Sequence, residues 1–143
     1  MMGLTIGAAA DATGVKVTTI RFYETRGMMP EPDRTASGRR VYAPSQVARL
    51  KFIKHARALG FDLDDITALL TLSDDPSADC GVADSIAHQQ LDAVTRRIAL
   101  LQDLQAELRR MTQECTGGQV SGCRVIESLA DHRHCAHPRH DMA

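Results

Sequence analysis

Two of the four cysteines in this 143-residue chain stand at the ends of a short polar loop. Cys115 and Cys123 enclose the residues TGGQVSG. Small, flexible residues let such a loop close, so that both sulfur atoms reach one ion, at about 2.3 Å each for zinc. In a reducing compartment, scattered cysteines are poor candidates for structural disulfides, which favours metal binding or redox chemistry. The spacing therefore predicts a metal-binding loop with two thiolate ligands.

A third cysteine, Cys80, precedes a segment that has the pattern of one long helix. Residues 81–114 contain no proline, and apolar residues recur along them at steps of four, three, four, three and seven. These residues are Ala87, Leu91, Val94, Ile98, Leu101 and Leu108, and the step of seven passes over Gln105. Such a seam over about 30 residues is typical of a coiled coil, and a helix this long needs a partner helix, most simply from a second copy. The sequence therefore predicts a homodimer.

The long helix also decides which loop Cys80 can serve. At a rise of 1.5 Å per residue, the helix separates Cys80 from Cys115 of the same chain by about 50 Å. In an antiparallel dimer, however, the start of one helix lies beside the end of the other. Cys80 of the partner subunit can then join Cys115 and Cys123 in a three-thiolate site.

The N-terminal segment TIGAAADATGVKVTTIRFYETRG predicts two short helices joined by a tight turn, each with a capping threonine before it and a glycine after it. The first covers residues 6–12 between Thr5 and Gly14, and the second covers residues 19–25 between Thr18 and Gly27. This is the helix-turn-helix plan, in which the second helix offers side chains to the major groove. The following PEPDRTASGRRVYAP has prolines on both sides of a Ser-Gly turn, which predicts a β-hairpin wing.

Two further helices are predicted after the wing. PSQVARLKFIKHARALG begins with Pro44 and stops at Gly60. Its apolar residues at helical spacing are Val47, Leu50, Phe52, Ile53, Ala56 and Leu59. DLDDITALLTL begins with the cap-like Asp62 and is expected to bury its apolar side chains Leu63, Ile66, Leu69 and Leu70.

Composition and charge favour a mainly α protein with a basic first half. Aromatic residues make up 3% of the chain and Trp is absent, so the core must be built from Ala, Leu, Val and Ile. Residues 1–73 carry ten Lys and Arg against seven Asp and Glu, whereas residues 74–143 carry seven against eleven. A basic half suggests a polyanionic partner. Apolar runs are too short for a membrane span and no secretory signal is evident, so we expect a cytoplasmic protein without a membrane partner.

The order of these parts resembles the MerR family of transcription regulators over essentially the whole chain. TIGAAADATGVKVTTIRFYETRGMMPEPDRT is similar to the family's opening helix-turn-helix, and SGRRVYAPSQVARLKFIKHARALGFDLDDITALL to its wing and second helix pair. The resemblance implies a winged helix-turn-helix DNA-binding domain, a long antiparallel coiled-coil dimerisation helix and a C-terminal metal-binding loop. The expected boundaries are 1–73 for the DNA-binding domain, 74–80 for a linker, 81–114 for the dimerisation helix, 115–131 for the metal-binding loop and a short helix, and 132–143 for a His-rich tail.

The resemblance also assigns residues to a DNA interface. Those implied to touch double-stranded promoter DNA are Lys16, Arg21, Tyr23, Arg34, Arg40 and Arg57. Guanidinium groups pair bidentately with phosphate or a guanine edge, and a tyrosine hydroxyl donates to phosphate, so most should position the protein rather than read sequence. Arg39 departs from the family pattern, because many relatives carry an aromatic residue there. Arg49, Lys51 and Lys54 are expected on a solvated helix face.

Members of this family act on promoters with an overlong spacer between the two elements that RNA polymerase recognises. The resemblance implies that the activated dimer bends and untwists this spacer, at a DNA deformation cost on the order of a few kcal/mol. In the family, a cysteine at the start of the dimerisation helix accompanies sensors of zinc, cadmium, lead or mercury, whereas copper, silver and gold sensors carry serine there. Cys80 therefore implies a divalent effector that activates a resistance or efflux operon. Thiolate softness does not choose among the four divalent ions.

The sequence leaves three alternatives and one further site open. A copper, silver or gold sensor would use Cys115 and Cys123 alone, and a redox sensor would need four clustered cysteines. A metal-sequestering protein would not need the basic half, and without a nucleophile, base and oxyanion constellation no enzyme is expected. The tail is either solvated or a second divalent site formed by His132, His134, Cys135, His137 and His140. His55 and His88 are expected on the surface.

Overall fold

The computed structural model describes residues 3–114 and 117–131, and within them the fold is mainly α, as predicted. In chain order the elements are α1 (Ile6–Thr13), α2 (Val17–Thr25), β1 (Asp33–Arg34), β2 (Arg40–Val41), α3 (Pro44–Ala58), α4 (Leu63–Ser73), α5 (Gly81–Glu114), a 3-10 turn (Val120–Gly122) and α6 (Arg124–Ala130). The chain divides into two compact units, Met1–Ile86 and Ala87–Ala143. They are called the first and second units below.

Helices α1 and α2 form the predicted pair, but the second helix begins earlier than expected. Thr5 caps α1, because its Oγ1 accepts a hydrogen bond from the amide of Ala8 at 3.1 Å. The predicted cap Thr18 is wrong, since α2 begins at Val17. In the intervening turn, Oγ1 of Thr13 accepts from the amide of Val15 at 3.2 Å. The side chain of Thr13 in α1 thus accepts the amide of the turn, and Thr18 lies inside α2.

The wing is the predicted hairpin. Strands β1 and β2 pair antiparallel, with Asp33 opposite Val41 and Arg34 opposite Arg40. Gly38, in the connecting turn, has a φ of 86°, a conformation that glycine adopts without steric cost. Leu4 and Tyr42 exchange backbone hydrogen bonds of 2.9 and 2.7 Å. The base of the wing is therefore tied to the residues that lead into α1.

One apolar core holds the first unit together. Its largest fully buried side chains are Ile20, Met28, Met29, Tyr42, Leu50, Ile53 and Ile66. On α3 the buried face consists of Leu50, Ile53 and Ala56, so Phe52 and Leu59 are exposed although they share the helical spacing. Met28 and Met29 follow α2 and are fully buried, so the core is not built from Ala, Leu, Val and Ile alone.

Arg49 joins three segments of the first unit. Its Nε donates to the carbonyl of Met28 at 2.7 Å, and its Nη1 contacts both carboxylate oxygens of Asp74 at 2.9 and 3.1 Å. The expectation of a solvated side chain is therefore wrong for Arg49. Its partners lie 21 and 25 residues away along the chain, beyond the reach of a local pattern. Lys51, on the same helix, is exposed as predicted.

Helix α5 runs without a break over 34 residues, the range for which the apolar seam predicts a helix. Four residues of the seam, Leu91, Ile98, Leu101 and Leu108, are each more than half exposed in the single chain. The chain itself therefore leaves much of this seam uncovered. In the described part of the chain, no helix is both long enough and apolar enough to cross a membrane.

Candidate nucleic-acid interface and metal site

Four arginines line one depression between the recognition helix α2 and the wing. Arg21 belongs to α2, whereas Arg34, Arg39 and Arg40 belong to the wing, and the enclosed space is about 410 Å³. Three of the four are predicted DNA contacts, and the structure brings them together. Arg39 is the addition, because it departs from the family pattern and is not among the residues that the resemblance assigns to the interface. Four guanidinium groups around one depression can bind the phosphates of a nucleic-acid backbone.

Hydrogen bonds hold the turn of the wing that carries these arginines. Nη1 of Arg34 donates to the carbonyl of Gly38 at 2.8 Å. The amide of Arg39 donates to Oγ1 of Thr35 at 3.2 Å, and the amide of Thr35 donates to the carbonyl of Arg39 at 2.9 Å. The backbone of the turn is therefore fixed in the free chain, which reduces the ordering cost of binding.

A buried carboxylate lies beside three of the arginines. Glu24 of α2 shares a second depression with Arg21, Arg34 and Arg40, and only 9% of its side chain is exposed. The hydroxyl of Tyr42 donates to Oε1 of Glu24 at 2.8 Å, and Nε of Arg40 lies 3.6 Å from the same oxygen. Burial raises the pKa of Tyr42, and Glu24 raises it further through the hydrogen bond and its charge. Tyr42 therefore remains protonated and donates to Glu24 at physiological pH.

The other predicted DNA contacts line a separate depression of the first unit. Lys16, Tyr23 and Arg57 surround a space of about 320 Å³ together with Lys54. Nη1 of Arg57 donates to the carbonyl of Phe61 at 3.0 Å, which anchors the guanidinium beyond the end of α3. Tyr23 is only 7% exposed, so most of its ring belongs to the core.

Lys54 is exposed, as predicted, but its ammonium group has a defined place. A β-carbon added at Gly14 would lie 2.2 Å from Nζ of Lys54, so the ammonium group packs over the turn between α1 and α2. This position adds a third positive charge beside Lys16 and Arg57. The depression therefore offers a second place for phosphate groups.

The described residues include two of the three predicted thiolate ligands. Cys80 is exposed and directly precedes α5, where its carbonyl accepts a hydrogen bond from the amide of Asp84 at 2.9 Å. Cys123 is half-buried and lies between the 3-10 turn and α6. Within residues 3–114 and 117–131 of the single chain, no three His, Cys, Asp or Glu side chains are grouped so that they could hold a metal ion. Cys115 and the predicted tail ligands lie outside the described residues, the latter being His132, His134, Cys135, His137 and His140.

Ion pairs close the base of the loop between α5 and α6. Nε of Arg124, the first residue of α6, lies 3.4 Å from Oε2 of Glu114, the last residue of α5. Nη1 of Arg110 contacts the same oxygen at 3.2 Å. Glu114 directly precedes Cys115 and Arg124 directly follows Cys123. The ion pair between Glu114 and Arg124 therefore holds together the two ends of the predicted metal loop.

The backbone of this loop requires glycine. Gly117 and Gly118 have φ values of 80° and 97°, in the region that residues with a β-carbon rarely adopt. A β-carbon at either position would meet no atom of the described residues within 4 Å, so the requirement is conformational rather than steric. This accounts for two of the three glycines between the two cysteines.

Comparison with known proteins identifies the class of protein to which these features belong. Residues 4–72 match the family described as "MerR HTH family regulatory protein", and residues 47–111 match the one described as "MerR, DNA binding". Both descriptions are of DNA-binding regulators. The class is therefore a transcription regulator and not an enzyme, as the sequence predicts.

Individual relatives cover nearly the whole chain. The transcriptional regulator ZntR of Escherichia coli (strain K12) is 41% identical over 87% of this chain and 90% of its own length. The mercuric resistance operon regulatory protein of Serratia marcescens is 41% identical over 88% of this chain and 87% of its own length. The crystal structure of PbrR691 from Ralstonia metallidurans CH34, in complex with lead(II), is 32% identical, with a TM-score of 0.76 over 88% of this chain and 98% of that chain. The chain belongs to the MerR family of transcription regulators.

Family membership and the mainly α fold with a winged helix-turn-helix are thus confirmed. The relatives also place the chain among the metal-responsive regulators of resistance operons.

Proposed function

We propose that this chain is a cytoplasmic activator of a resistance or efflux operon and responds to a divalent heavy-metal ion: zinc, cadmium, lead or mercury. It acts as a homodimer on promoter DNA, together with RNA polymerase. The observation that carries the proposal is the uncovered apolar seam of α5, a helix with a cysteine directly before it and another in the segment after it. A second chain would cover the seam, and its Cys80 would supply the third thiolate of the metal site.

The dimer is supported by the apolar surface that α5 exposes. Leu91, Ile98, Leu101 and Leu108 lie on one stripe, and covering apolar surface stabilises an assembly by about 25 cal/mol per Å². Gln105 interrupts the stripe, and a polar residue in such a seam specifies register at some cost in stability. Antiparallel pairing is the arrangement that brings Cys80 of one chain to the loop of the other.

The metal site combines Cys115 and Cys123 of one chain with Cys80 of the partner subunit. The ion pair between Glu114 and Arg124 supports the first two ligands, because it joins the residues that flank them. The exposure of Cys80 supports the third, since a thiol on the surface is accessible to a second chain. Thiolates are soft ligands, so a site of three thiolates suits zinc, cadmium, lead and mercury.

Divalent ions are favoured over copper, silver and gold by the residue at position 80. The resemblance implies serine there in sensors of the latter ions, and this chain has cysteine. Relatives that regulate a mercuric resistance operon or bind lead(II) support the same class of ion. A second divalent site in the tail, at His132, His134, Cys135, His137 and His140, is a separate part of the proposal.

The DNA interface comprises two of the depressions described above, the one lined by four arginines and the one lined by Lys16, Tyr23, Lys54 and Arg57. To the predicted residues Lys16, Arg21, Tyr23, Arg34, Arg40 and Arg57 we add Arg39 and Lys54, which line the same depressions. These groups surround the recognition helix from both sides, so they can fix its register on the duplex through the phosphates. The core position of Tyr23 limits its part to the edge of the ring that borders the depression.

The metal switches the dimer by differential affinity. Bending and untwisting a promoter spacer costs on the order of a few kcal/mol. The ion must therefore bind the activating state more tightly by a comparable free energy, because equal affinity for both states shifts no population.

The test is in vitro transcription from the gene's own promoter, titrated with buffered zinc, cadmium, lead, mercury and copper(I). Wild type is compared with Cys80→Ser, and we expect activation by a divalent ion that is lost in the variant. Activation by copper(I) that survives Cys80→Ser would instead assign the protein to the copper, silver and gold sensors. Promoter binding in the absence of metal should be unchanged in Cys80→Ser, which controls for folding.

A further inference from the structure

A carboxylate in the first unit lies among arginines of the proposed DNA interface. Glu24 stands on the recognition helix in a depression that it shares with Arg21, Arg34 and Arg40, and these three arginines also belong to the proposed DNA interface. A negative charge beside phosphate contacts opposes DNA binding by simple electrostatics. Its presence there therefore requires a compensating role.

The carboxylate is only partly satisfied. Its side chain is 9% exposed, and Oε1 accepts from the hydroxyl of Tyr42 at 2.8 Å. Within the described part of the chain, Oε2 of Glu24 and Nε of Arg40 are both buried without a hydrogen-bond partner, although 3.6 Å separates this Nε from Oε1. At that distance the two groups attract each other as charges but do not form a hydrogen bond. A buried polar group without a hydrogen-bond partner costs stability. We therefore look for a functional role of Glu24 and Arg40 that offsets this cost.

Glu24 and its two neighbours, Arg40 and Tyr42, come from different segments of the chain. Glu24 lies on α2, whereas Arg40 is on β2 and Tyr42 directly follows β2. Tyr42 is fully buried and bonded through its backbone to Leu4. The hydrogen bond from Tyr42 therefore connects the carboxylate of Glu24 on the recognition helix to the base of the wing. It holds that carboxylate beside Arg40.

We propose that Glu24 is a positioning residue for DNA binding: together with Tyr42 it holds the guanidinium of Arg40, and with it the wing, in place beside the recognition helix. Arg40 is then ordered before a phosphate arrives, so specific binding loses less side-chain entropy. The proposal rests on the DNA interface proposed above.

Electrostatics and positioning predict opposite results for Glu24→Gln. The substitution removes one negative charge from the interface, so electrostatics alone predicts tighter binding to all DNA. Positioning predicts weaker binding to the promoter, since Arg40 loses the charge that holds it. We expect promoter affinity to fall about tenfold while affinity for a random duplex stays level or rises. The ratio of promoter affinity to random-duplex affinity then falls at least about tenfold.

The experiment measures fluorescence-anisotropy binding of the full chain to two duplexes of equal length. One carries the promoter segment that the wild-type protein protects from nuclease, and the other has a random sequence. Glu24→Gln and Arg40→Ala are compared singly and together, and a thermal melt confirms that each variant folds. The effect of Glu24→Gln must shrink to within about twofold in the Arg40→Ala background, because the two residues act through one contact.

Tyr42→Phe provides a second test that leaves every charge in place. It removes the hydroxyl that donates to Oε1, and we expect about a threefold loss of promoter affinity over random DNA. This variant alone decides the matter if Glu24→Gln does not fold. Promoter and random affinity that rise in parallel in Glu24→Gln, or an unchanged ratio in Tyr42→Phe, would overturn the proposal.

Arg21→Ala separates this inference from the proposed interface. A loss of promoter affinity in Arg21→Ala, with no change of ratio in Glu24→Gln, refutes only the positioning role. Unchanged promoter affinity in Arg21→Ala refutes the interface itself, and with it the role of Glu24.

Discussion

The first unit and the long helix α5 treat their apolar residues in opposite ways. In the first unit, Ile20, Leu50, Ile53 and Ile66 are fully buried within one chain. Along α5, Leu101 and its neighbours in the seam remain more than half exposed. The first unit therefore completes its core within one chain, whereas α5 leaves much of its apolar seam uncovered in the single chain. The difference separates a unit that one copy completes from a helix whose seam we propose is covered by a second copy.

The largest expected effect comes from a charge in the seam. Leu101→Asp would place two buried carboxylates in each dimer, and each carries a desolvation cost of several kcal/mol. We expect the dimer dissociation constant to rise at least about 1,000-fold, measured by analytical ultracentrifugation. Ala99→Asp adds the same charge at an exposed position off the seam and should leave the dimer intact. A dimeric Leu101→Asp would show that the seam is not the interface.

Truncation of the core of the first unit should act without regard to the second chain. Ile53→Ala removes most of a fully buried side chain, at a cost of about 2–5 kcal/mol in the free energy of unfolding. Because the core closes within one chain, this loss should be independent of protein concentration in urea titrations. A loss that varies with concentration would show that the first unit also depends on the dimer.

Arg39 tests how far the proposed DNA interface extends. Arg39→Ala should lower the slope of log affinity against log salt by about 0.9, the contribution of one phosphate contact. Lys51→Ala is the matched control, since Lys51 is an exposed cation of α3 outside both depressions. An equal slope change in both variants would mean that Arg39 contributes only general charge.

The smallest expected effect concerns the base of the metal loop. Arg124→Gln breaks the ion pair with Glu114. The side chains of Arg124 and Glu114 are 48% and 35% exposed. Pairs of this exposure contribute up to about 1 kcal/mol, so metal affinity should fall about two- to fivefold in a chelator competition assay. Arg26→Gln, which breaks an exposed ion pair with Asp64 in the first unit, should leave metal affinity unchanged. An unchanged affinity in Arg124→Gln would show that the loop closes without this pair.

Local patterns were sufficient to predict much of the fold. Thr5 and Gly14 bound α1 as expected, because capping depends on residues only a few positions apart. The range of α5 follows from a repeat that is visible without any tertiary information. The predicted cap at Thr18 is wrong because α2 begins at Val17, after Lys16, without a side-chain cap that a sequence pattern could reveal.

The residues that the sequence did not reveal have partners far along the chain. Glu24 and Tyr42 are 18 residues apart, and Arg49 reaches Asp74 across 25 residues. Neither pair belongs to a periodic pattern. The ion pair between Glu114 and Arg124 joins the end of α5 to the start of α6. It becomes apparent only when the positions of the two helix ends are known. Side chains that join separate elements therefore need the structure.

We propose that each metal ion is held by two chains, and mixed dimers test this sharing. Cys80→Ser and Cys123→Ser homodimers each lack one ligand at both sites, so both should bind a divalent ion weakly. After unfolding and refolding together, half of the dimers should be mixed and contain one complete site, from Cys80 of one chain and the two loop cysteines of the other. If each ion is shared by two chains, differently tagged and purified mixed dimers bind one ion with wild-type affinity. Mixed dimers that bind no more tightly than either parent would contradict it.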